Sequence, residues 1–155
     1  MAKFFIVDDD EFLVRLIENF FRENGHSVVA KAFNGEEAVK IYKELVKNSE
    51  TRPDIVLMDY RMPWKDGLTA AKEILAFNPN CTIIFLSEDL AIKNMVLEIN
   101  CAFFEKPCSL HSLLKSIASH STNFSFKKVL CPYCGSMPSL FKREQLCYNC
   151  NNRLE

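Results

Sequence analysis

Five short apolar segments alternate along the chain with longer segments in which apolar residues recur every three or four positions. Continuous apolar runs rich in β-branched and aromatic residues predict strands, whereas apolar residues at helical spacing predict helices with one buried face. The predicted strands are residues 3–7, 27–32, 54–58, 82–86 and about 101–105, and the predicted helices cover about 11–24, 35–46, 68–75, 89–99 and 109–119. This alternation is typical of an open, doubly wound parallel sheet covered by helices on both faces.

The first and fourth helices are each expected to pack one apolar stripe against the sheet. In the first helix the stripe is Phe12, Leu13, Leu16, Ile17, Phe20 and Phe21. In the fourth it is Ala91, Ile92, Met95, Val96 and Ile99. Gly25 is expected to end the first helix and Asn34 to cap the second, because these residue types favour those two positions.

The charge of the chain is unevenly distributed. The 155 residues carry a formal net charge of −1, but residues 1–120 hold 18 acidic and 14 basic residues, and residues 121–155 hold two and five. No apolar run approaches the roughly 20 residues that span a bilayer. The N-terminus also lacks the basic and apolar regions of a secretion signal. We therefore expect a cytoplasmic protein with no membrane partner, in which cysteines stay reduced.

Charged and hydroxyl side chains stand at the ends of four predicted strands. Asp8 and Asp9 follow the first strand, Asp59 the third, Ser87 the fourth and Lys106 the fifth. Ligands of an open α/β sheet bind beyond the carboxyl ends of its strands, so these side chains are expected to converge. Carboxylate oxygens suit Mg²⁺, and a lysine provides a point charge for a phosphate oxygen. The pattern predicts a site for a divalent cation and a phosphoryl group.

Four motifs resemble the receiver domain of bacterial response regulators. They are IVDDD at 6–10, DIVLMDYRMPWKDG at 54–67, IIFLS at 83–87 and FFEKP at 103–107, in the order and spacing of that family. The resemblance covers about residues 1–120. It implies a flavodoxin-like (βα)5 fold and a two-component response regulator that catalyses only its own phosphorylation and dephosphorylation.

The resemblance also implies a role for each matching residue. Asp59 corresponds to the aspartate that a sensor histidine kinase or phosphotransfer protein phosphorylates. Asp8 and Asp9, with Asp59 and the backbone carbonyl of Arg61, correspond to the Mg²⁺ site. Ser87 and Lys106 correspond to the hydroxyl and the lysine that contact the phosphoryl group. Phe103 corresponds to the aromatic switch residue of the surface that contacts a downstream protein, and Lys106-Pro107 to a cis peptide.

Some residues depart from the pattern of the family. Glu88 stands where a small residue is usual, and a carboxylate there would shield Asp59 or repel a phosphoryl group. Arg61 and Asp89 occupy two variable positions and are placed to pair across the site. The turn at Asn100 and Cys101 has no glycine. An alternative hypothesis is therefore a receiver-like scaffold that is not phosphorylated, whose C-terminal segment binds protein or nucleic acid.

The last 25 residues contain two Cys-x-x-Cys pairs, Cys131 with Cys134 and Cys147 with Cys150, separated by twelve residues. Two such pairs predict a structural zinc site with four thiolate ligands, and zinc is favoured over iron. We expect a receiver domain at 1–120, a linker at 121–128 and a zinc-ribbon-like module at 129–155. Cys81, Cys101 and Cys108 are interpreted as buried or partly buried thiols rather than ligands.

Two hypotheses for the module remain open. It is either a small structural or protein-binding unit, or a surface for nucleic acid, because basic residues accompany aromatic ones. The basic residues are Lys127, Lys128, Lys142 and Arg143, and the aromatic ones are Phe126, Tyr133, Phe141 and Tyr148.

Overall fold

Residues 1–119 are described by a computed structural model, in which five parallel strands form one sheet. The strands are β1 (Lys3–Val7), β2 (Ser27–Ala32), β3 (Ile55–Met58), β4 (Ile83–Ser87) and β5 (Ala102–Glu105). The helices are α1 (Glu11–Glu23), α2 (Gly35–Leu45), α3 (Gly67–Phe77), α4 (Lys93–Glu98) and α5 (Leu110–Ser119), and a 3-10 turn (Leu90–Ile92) precedes α4. The strand order is β2-β1-β3-β4-β5. This topology confirms the predicted flavodoxin-like α/β fold of the described residues.

The sheet is buried on both faces, which explains why its central strands are almost wholly apolar. On one face, Phe5, Val56 and Phe85 belong to a core that includes residues of α2 and α3. On the other, Phe4 contacts Phe21 of α1, with ring centroids 4.1 Å apart.

Side chains that accept hydrogen bonds from backbone amides fix where the helices begin. Asp10 caps α1 by accepting from the amides of Phe12 and Leu13, at 3.0 and 3.1 Å. Asn34 caps α2 as predicted, accepting from the amide of Glu37 at 2.8 Å. These caps satisfy backbone amides in the first turns of α1 and α2, which have no carbonyl partner within the helix.

The predicted apolar stripe of α1 is wrong in part. Phe12 and Leu16 are 78% and 51% exposed, whereas Val14, Ile17 and Phe21 are buried. The sheet covers a narrower part of the helix surface than the six predicted residues occupy. The covered part contains positions 14, 17 and 21. Beside that part lies the buried carboxylate of Glu18, paired with Arg22 and Lys31 at 2.7 and 2.8 Å.

The predicted helix at 89–99 is also shorter and less regular than expected. The Asp89 side chain accepts from the amide of Ala91 at 3.0 Å and begins a 3-10 turn, so α4 itself starts only at Lys93. Ala91 and Met95 are exposed, unlike the expected stripe. Asn100 adopts a left-handed backbone with φ 59°, a conformation that asparagine tolerates, and thereby makes the turn without the usual glycine.

The predicted linker at 121–128 and the cysteine module at 129–155 lie outside the described residues. Within residues 1–119, none of the helices combines the length and the apolar character needed to cross a membrane. Of the three cysteines outside the module, Cys101 is buried and Cys81 and Cys108 are half-buried, as predicted. Burial raises the pKa of Cys81 to about 11 and that of Cys101 to about 12, which makes both thiols poor nucleophiles at neutral pH.

Candidate functional site

Parallel pairing brings four strand ends to one edge of the sheet. Val7 pairs with Met58, and Ser87 pairs with Glu105, so the residues that follow lie side by side. The Asp59 amide donates to the Val7 carbonyl at 2.8 Å, and the Lys106 amide donates to the Ser87 carbonyl at 3.0 Å. The convergence expected from the sequence is therefore present.

The ammonium group of Lys106 bridges two of the carboxylates. Its Nζ lies 2.7 Å from Asp8 Oδ2 and 3.0 Å from Asp59 Oδ1. The Lys106-Pro107 peptide is cis, as the resemblance implies. Burial alone would lower the pKa of Lys106, but the hydrogen bond to Asp8 and the charges of both acids raise it overall. Lys106 therefore carries a positive charge at the base of the site.

Three acids lie close enough to share one cation. Asp8, Asp9 and Asp59 each offer a carboxylate oxygen, and these oxygens lie within 4.8 Å of one another. Asp8 and Asp59 are buried, while Asp9 is exposed. Burial raises the pKa of Asp59, opposed by the charge and hydrogen bond of Lys106. Three carboxylates exceed the single ammonium in charge, and their oxygen donors fit a hard divalent cation with open positions for water.

Ser87 is buried at the end of β4, where the sequence placed it. Its hydroxyl oxygen accepts from the Asp89 amide at 3.2 Å. Among residues 1–119, no hydrogen bond joins this hydroxyl to Asp59 or Lys106. The structure thus brings Ser87 to the edge of the site with its hydroxyl held by the following loop.

The predicted pair of Arg61 and Asp89 is present. Arg61 Nε and Nη2 both donate to Asp89 Oδ2, at 3.1 and 2.8 Å. This pair raises the pKa of Arg61 and lowers that of Asp89. It connects the loop after β3 with the loop after β4 and so crosses the mouth of the site.

Glu88 and Phe103 lie in opposite environments. Glu88 is exposed, and its charge acts on the guanidinium of Arg61. Phe103 is buried in β5, within the same core as Phe85 and Val56. Burial of the Glu88 carboxylate over Asp59, which would have obstructed the site, is therefore not observed.

The loop after Asp59 contains features that the sequence reasoning missed. Asp66 caps α3 by accepting from the Thr69 amide at 2.8 Å, and the Gly67 amide donates to the Tyr60 carbonyl at 2.9 Å. A β-carbon on Gly67 would lie only 1.9 Å from the backbone oxygen of Asp59. The Asp-Gly pair at 66–67 was a usable signal, because aspartate is a common helix cap.

A cleft with a volume of about 590 Å³ opens beside the acids. It lies between the loop after β3 and the loop after β4. Its lining consists of Asp9, Tyr60, Arg61, Met62, Pro63, Asp66 and Asp89.

Comparison with known proteins identifies the family. Residues 4–118 match the family model described as the response regulator receiver domain. The chain belongs to this family. It is 42% identical over 87 residues to the chemotaxis protein CheY of Listeria monocytogenes, which covers 56% of this chain and 68% of the relative. It is 38% identical over 116 residues to CheY of Bacillus subtilis, which covers 72% of this chain and 91% of the relative.

A solved structure shows the same relationship. The structure of the CheX-CheY-BeF3-Mg²⁺ complex from Borrelia burgdorferi contains a chain that is similar to this one, with 30% identity and a TM-score of 0.69. The similarity covers 76% of this chain and 87% of that chain. The protein is thus a two-component response regulator, and its acids are consistent with Mg²⁺.

Proposed function

We propose that Asp59 accepts a phosphoryl group from a phosphohistidine on a sensor kinase or phosphotransfer protein, in a reaction that depends on Mg²⁺. The single observation that carries this proposal is the bridge of Lys106 Nζ between Asp8 Oδ2 and Asp59 Oδ1, at 2.7 and 3.0 Å. The ammonium group of Lys106 thereby lies beside the nucleophilic carboxylate of Asp59, while neighbouring acids remain available for a metal ion.

The transfer exchanges one phosphorus bond for another. A carboxylate oxygen of Asp59 forms a bond to phosphorus as the bond from phosphorus to the histidine nitrogen breaks, and that nitrogen keeps the electron pair of the broken bond. Asp8, Asp9, Asp59 and the backbone carbonyl of Arg61 would hold Mg²⁺, which when bound neutralises charge on the phosphoryl oxygens. Lys106 stabilises the same charge with its ammonium group.

The product adds negative charge to a site already rich in carboxylates. Lys106 has donors that can turn from Asp8 and Asp59 to a phosphoryl oxygen, and Ser87 has a hydroxyl at the same edge. Movement of Ser87 toward the phosphoryl group would open space for Phe103 to change its packing in β5. We propose that this change alters a surface that contacts a downstream protein.

The phosphoacceptor is tested by measuring the mass of the intact protein. After incubation with acetyl phosphate and Mg²⁺, we expect a single phosphate-sized increment in the wild-type chain and none in Asp59→Asn. Asp10→Asn is the matched control, because it removes a nearby charge and keeps a side chain able to cap α1. An increment that persists in Asp59→Asn would refute Asp59 as the acceptor.

The scaffold alternative depended on obstruction of the site by Glu88. That residue is exposed, which argues against a carboxylate buried over Asp59 but not against repulsion of a phosphoryl group by its charge. Wild-type protein that gains no phosphate under the conditions above would favour the scaffold instead.

We further propose that residues 1–120 form the receiver, 121–128 a linker, and 129–155 a zinc-binding module. The zinc-binding module is supported by the spacing of its four cysteines in the sequence, Cys131, Cys134, Cys147 and Cys150. Four thiolates close the coordination of zinc, which suits a structural rather than a catalytic metal. Binding to nucleic acid stays a prediction based on charge and aromatic content.

Removal of the metal tests the module. We expect about one zinc per chain in the purified protein, and release of that zinc should expose four thiols to alkylation. Cys101 is buried and Cys81 and Cys108 are half-buried, and burial raises the pKa of all three thiols, so their slow reaction should be the same before and after chelation. Replacement of all four module cysteines by serine should abolish the zinc signal while phosphorylation at Asp59 continues. Protein that lacks zinc and iron would contradict the metal site.

A further inference from the structure

We propose that Trp64 is the residue through which a phosphohistidine-bearing donor protein docks beside Asp59. The inference rests on the proposed function, since it assigns a partner to the same site. Trp64 contributes no group to the acid cluster, so its proposed role is selection of the partner and not the chemistry of phosphoryl transfer.

The backbone around Trp64 is unusual. Its φ of 64° lies in the left-handed region, which is unfavourable and rare for a bulky residue. The Lys65 amide donates to the Pro63 carbonyl at 2.8 Å and closes a three-residue backbone turn with Trp64 at its centre. Within residues 1–119, Trp64 and Asn100 are the only residues other than glycine with positive φ.

Both sides of this turn are held in place. The Gly35 amide donates to the Lys65 carbonyl at 3.0 Å, and Lys65 Nζ pairs with Glu73 Oε1 at 2.6 Å. The cap formed by Asp66 fixes the following residues to α3. A well-supported loop therefore holds an indole that is 86% exposed. Strained backbone that is held by its surroundings is characteristic of functional sites.

The surroundings of Trp64 suit a protein partner. The adjacent residue Pro63 and the nearby Asp66 line the cleft beside Asp59. Exposed Leu90 directly follows Asp89, which lines the same cleft. The lining has three carboxylates and one guanidinium, and the guanidinium already pairs with Asp89. Apolar side chains flanking an acidic cleft complement a surface that is apolar and basic.

The position of Asp59 identifies the partner as the phosphodonor. Asp59 is only 8% exposed, so a phosphohistidine that reaches it has to bring its own protein surface over the surrounding loops. The four residues that directly follow Asp59 all line the cleft, and Trp64 is the next residue along the chain. A donor in contact with Asp59 is therefore placed to cover the indole, and tryptophan is one of the residue types enriched among strong interface contacts.

The test compares two phosphodonors in Trp64→Asn. Asparagine tolerates a left-handed backbone, so the variant deletes the indole without adding strain. We expect labelling by acetyl phosphate to stay within about twofold of wild type, because no group of the acid cluster changes. Transfer from histidine phosphotransfer domains, phosphorylated on histidine, should lose about tenfold in kcat/KM through a higher KM.

Phe77→Asn is the matched control. Phe77 is an exposed aromatic residue at the far end of α3, about 15 Å along the helix from Gly67. We expect it to leave transfer from the donor domains unchanged. Because Trp64 is the single tryptophan of the chain, its fluorescence should also change when unphosphorylated donor domain is added to the wild-type protein.

The outcomes separate the two proposals. Wild-type protein that acetyl phosphate fails to label would defeat the proposed function itself. Normal labelling by acetyl phosphate, together with equal protein transfer in wild type and Trp64→Asn, would overturn the docking role alone. An equal loss in Phe77→Asn, or no transfer to wild type from any donor domain, would overturn it as well.

Discussion

Lys106→Met is expected to slow labelling of Asp59 by acetyl phosphate by about 10²-fold. The ammonium group is the one cation that donates to both Asp8 and Asp59 among the described residues, at 2.7 and 3.0 Å. Methionine keeps the length and apolar stem of the side chain but leaves the charge that develops on the phosphoryl oxygens without this donor. The rate of appearance of the phosphorylated mass in the presence of Mg²⁺ measures the effect.

The same substitution should destabilise the protein by about 2 kcal/mol in the absence of divalent cations, because two buried carboxylates lose their charged partner and keep only backbone donors. Added Mg²⁺ should reduce this deficit, since an ion that binds only the folded chain stabilises it by mass action. Lys115→Met, at an exposed position of α5, is the control for loss of a lysine. Equal labelling rates in Lys106→Met and wild type would remove Lys106 from the phosphoryl site.

Gly67→Ala is expected to lower the free energy of unfolding by about 3 kcal/mol, at the upper end of overpacking effects. A β-carbon at this position would lie 1.9 Å from the Asp59 backbone oxygen, so either α3 or the end of β3 has to move. Because the displaced backbone belongs to the phosphoacceptor, labelling by acetyl phosphate should also slow. Urea unfolding and intact mass measure the two effects.

Gly25→Ala provides the comparison for Gly67→Ala. Gly25 has φ 78°, but a β-carbon there meets no atom within 4 Å. Alanine at 25 should therefore cost only the roughly 1–2 kcal/mol of a left-handed backbone and leave labelling unchanged. If Gly67→Ala were as stable as Gly25→Ala and equally active, close packing of α3 against Asp59 would not constrain the site.

The sequence predicted the strand ends better than the helix surfaces. A parallel strand buried on both faces appears as a continuous apolar run, so the end of each run located Asp8, Asp59, Ser87 and Lys106 to within a residue. Helix faces depend on how much of each helix the sheet covers. Six apolar residues in α1 could not reveal that Val14 is buried while Phe12 and Leu16 are exposed.

Loop features were harder to predict than strand ends, with one exception. The pairing of Arg61 with Asp89 was expected from the family positions, and the structure confirms it. The left-handed turn at Trp64 had no sequence signal, since bulky residues rarely adopt positive φ. The close approach of Gly67 to Asp59 follows from the packing of α3 and required the folded structure.

The hydrogen bond between the Asp89 amide and the Ser87 hydroxyl has a mechanical consequence. The two residues are separated by Glu88 alone, and Asp89 begins the 3-10 turn that continues into α4. If the hydroxyl turned toward Asp59, the amide of Asp89 would lose its acceptor at the base of that turn. Movement of one oxygen atom at the sheet edge would therefore remove a hydrogen bond at the residue that caps the 3-10 turn leading into α4.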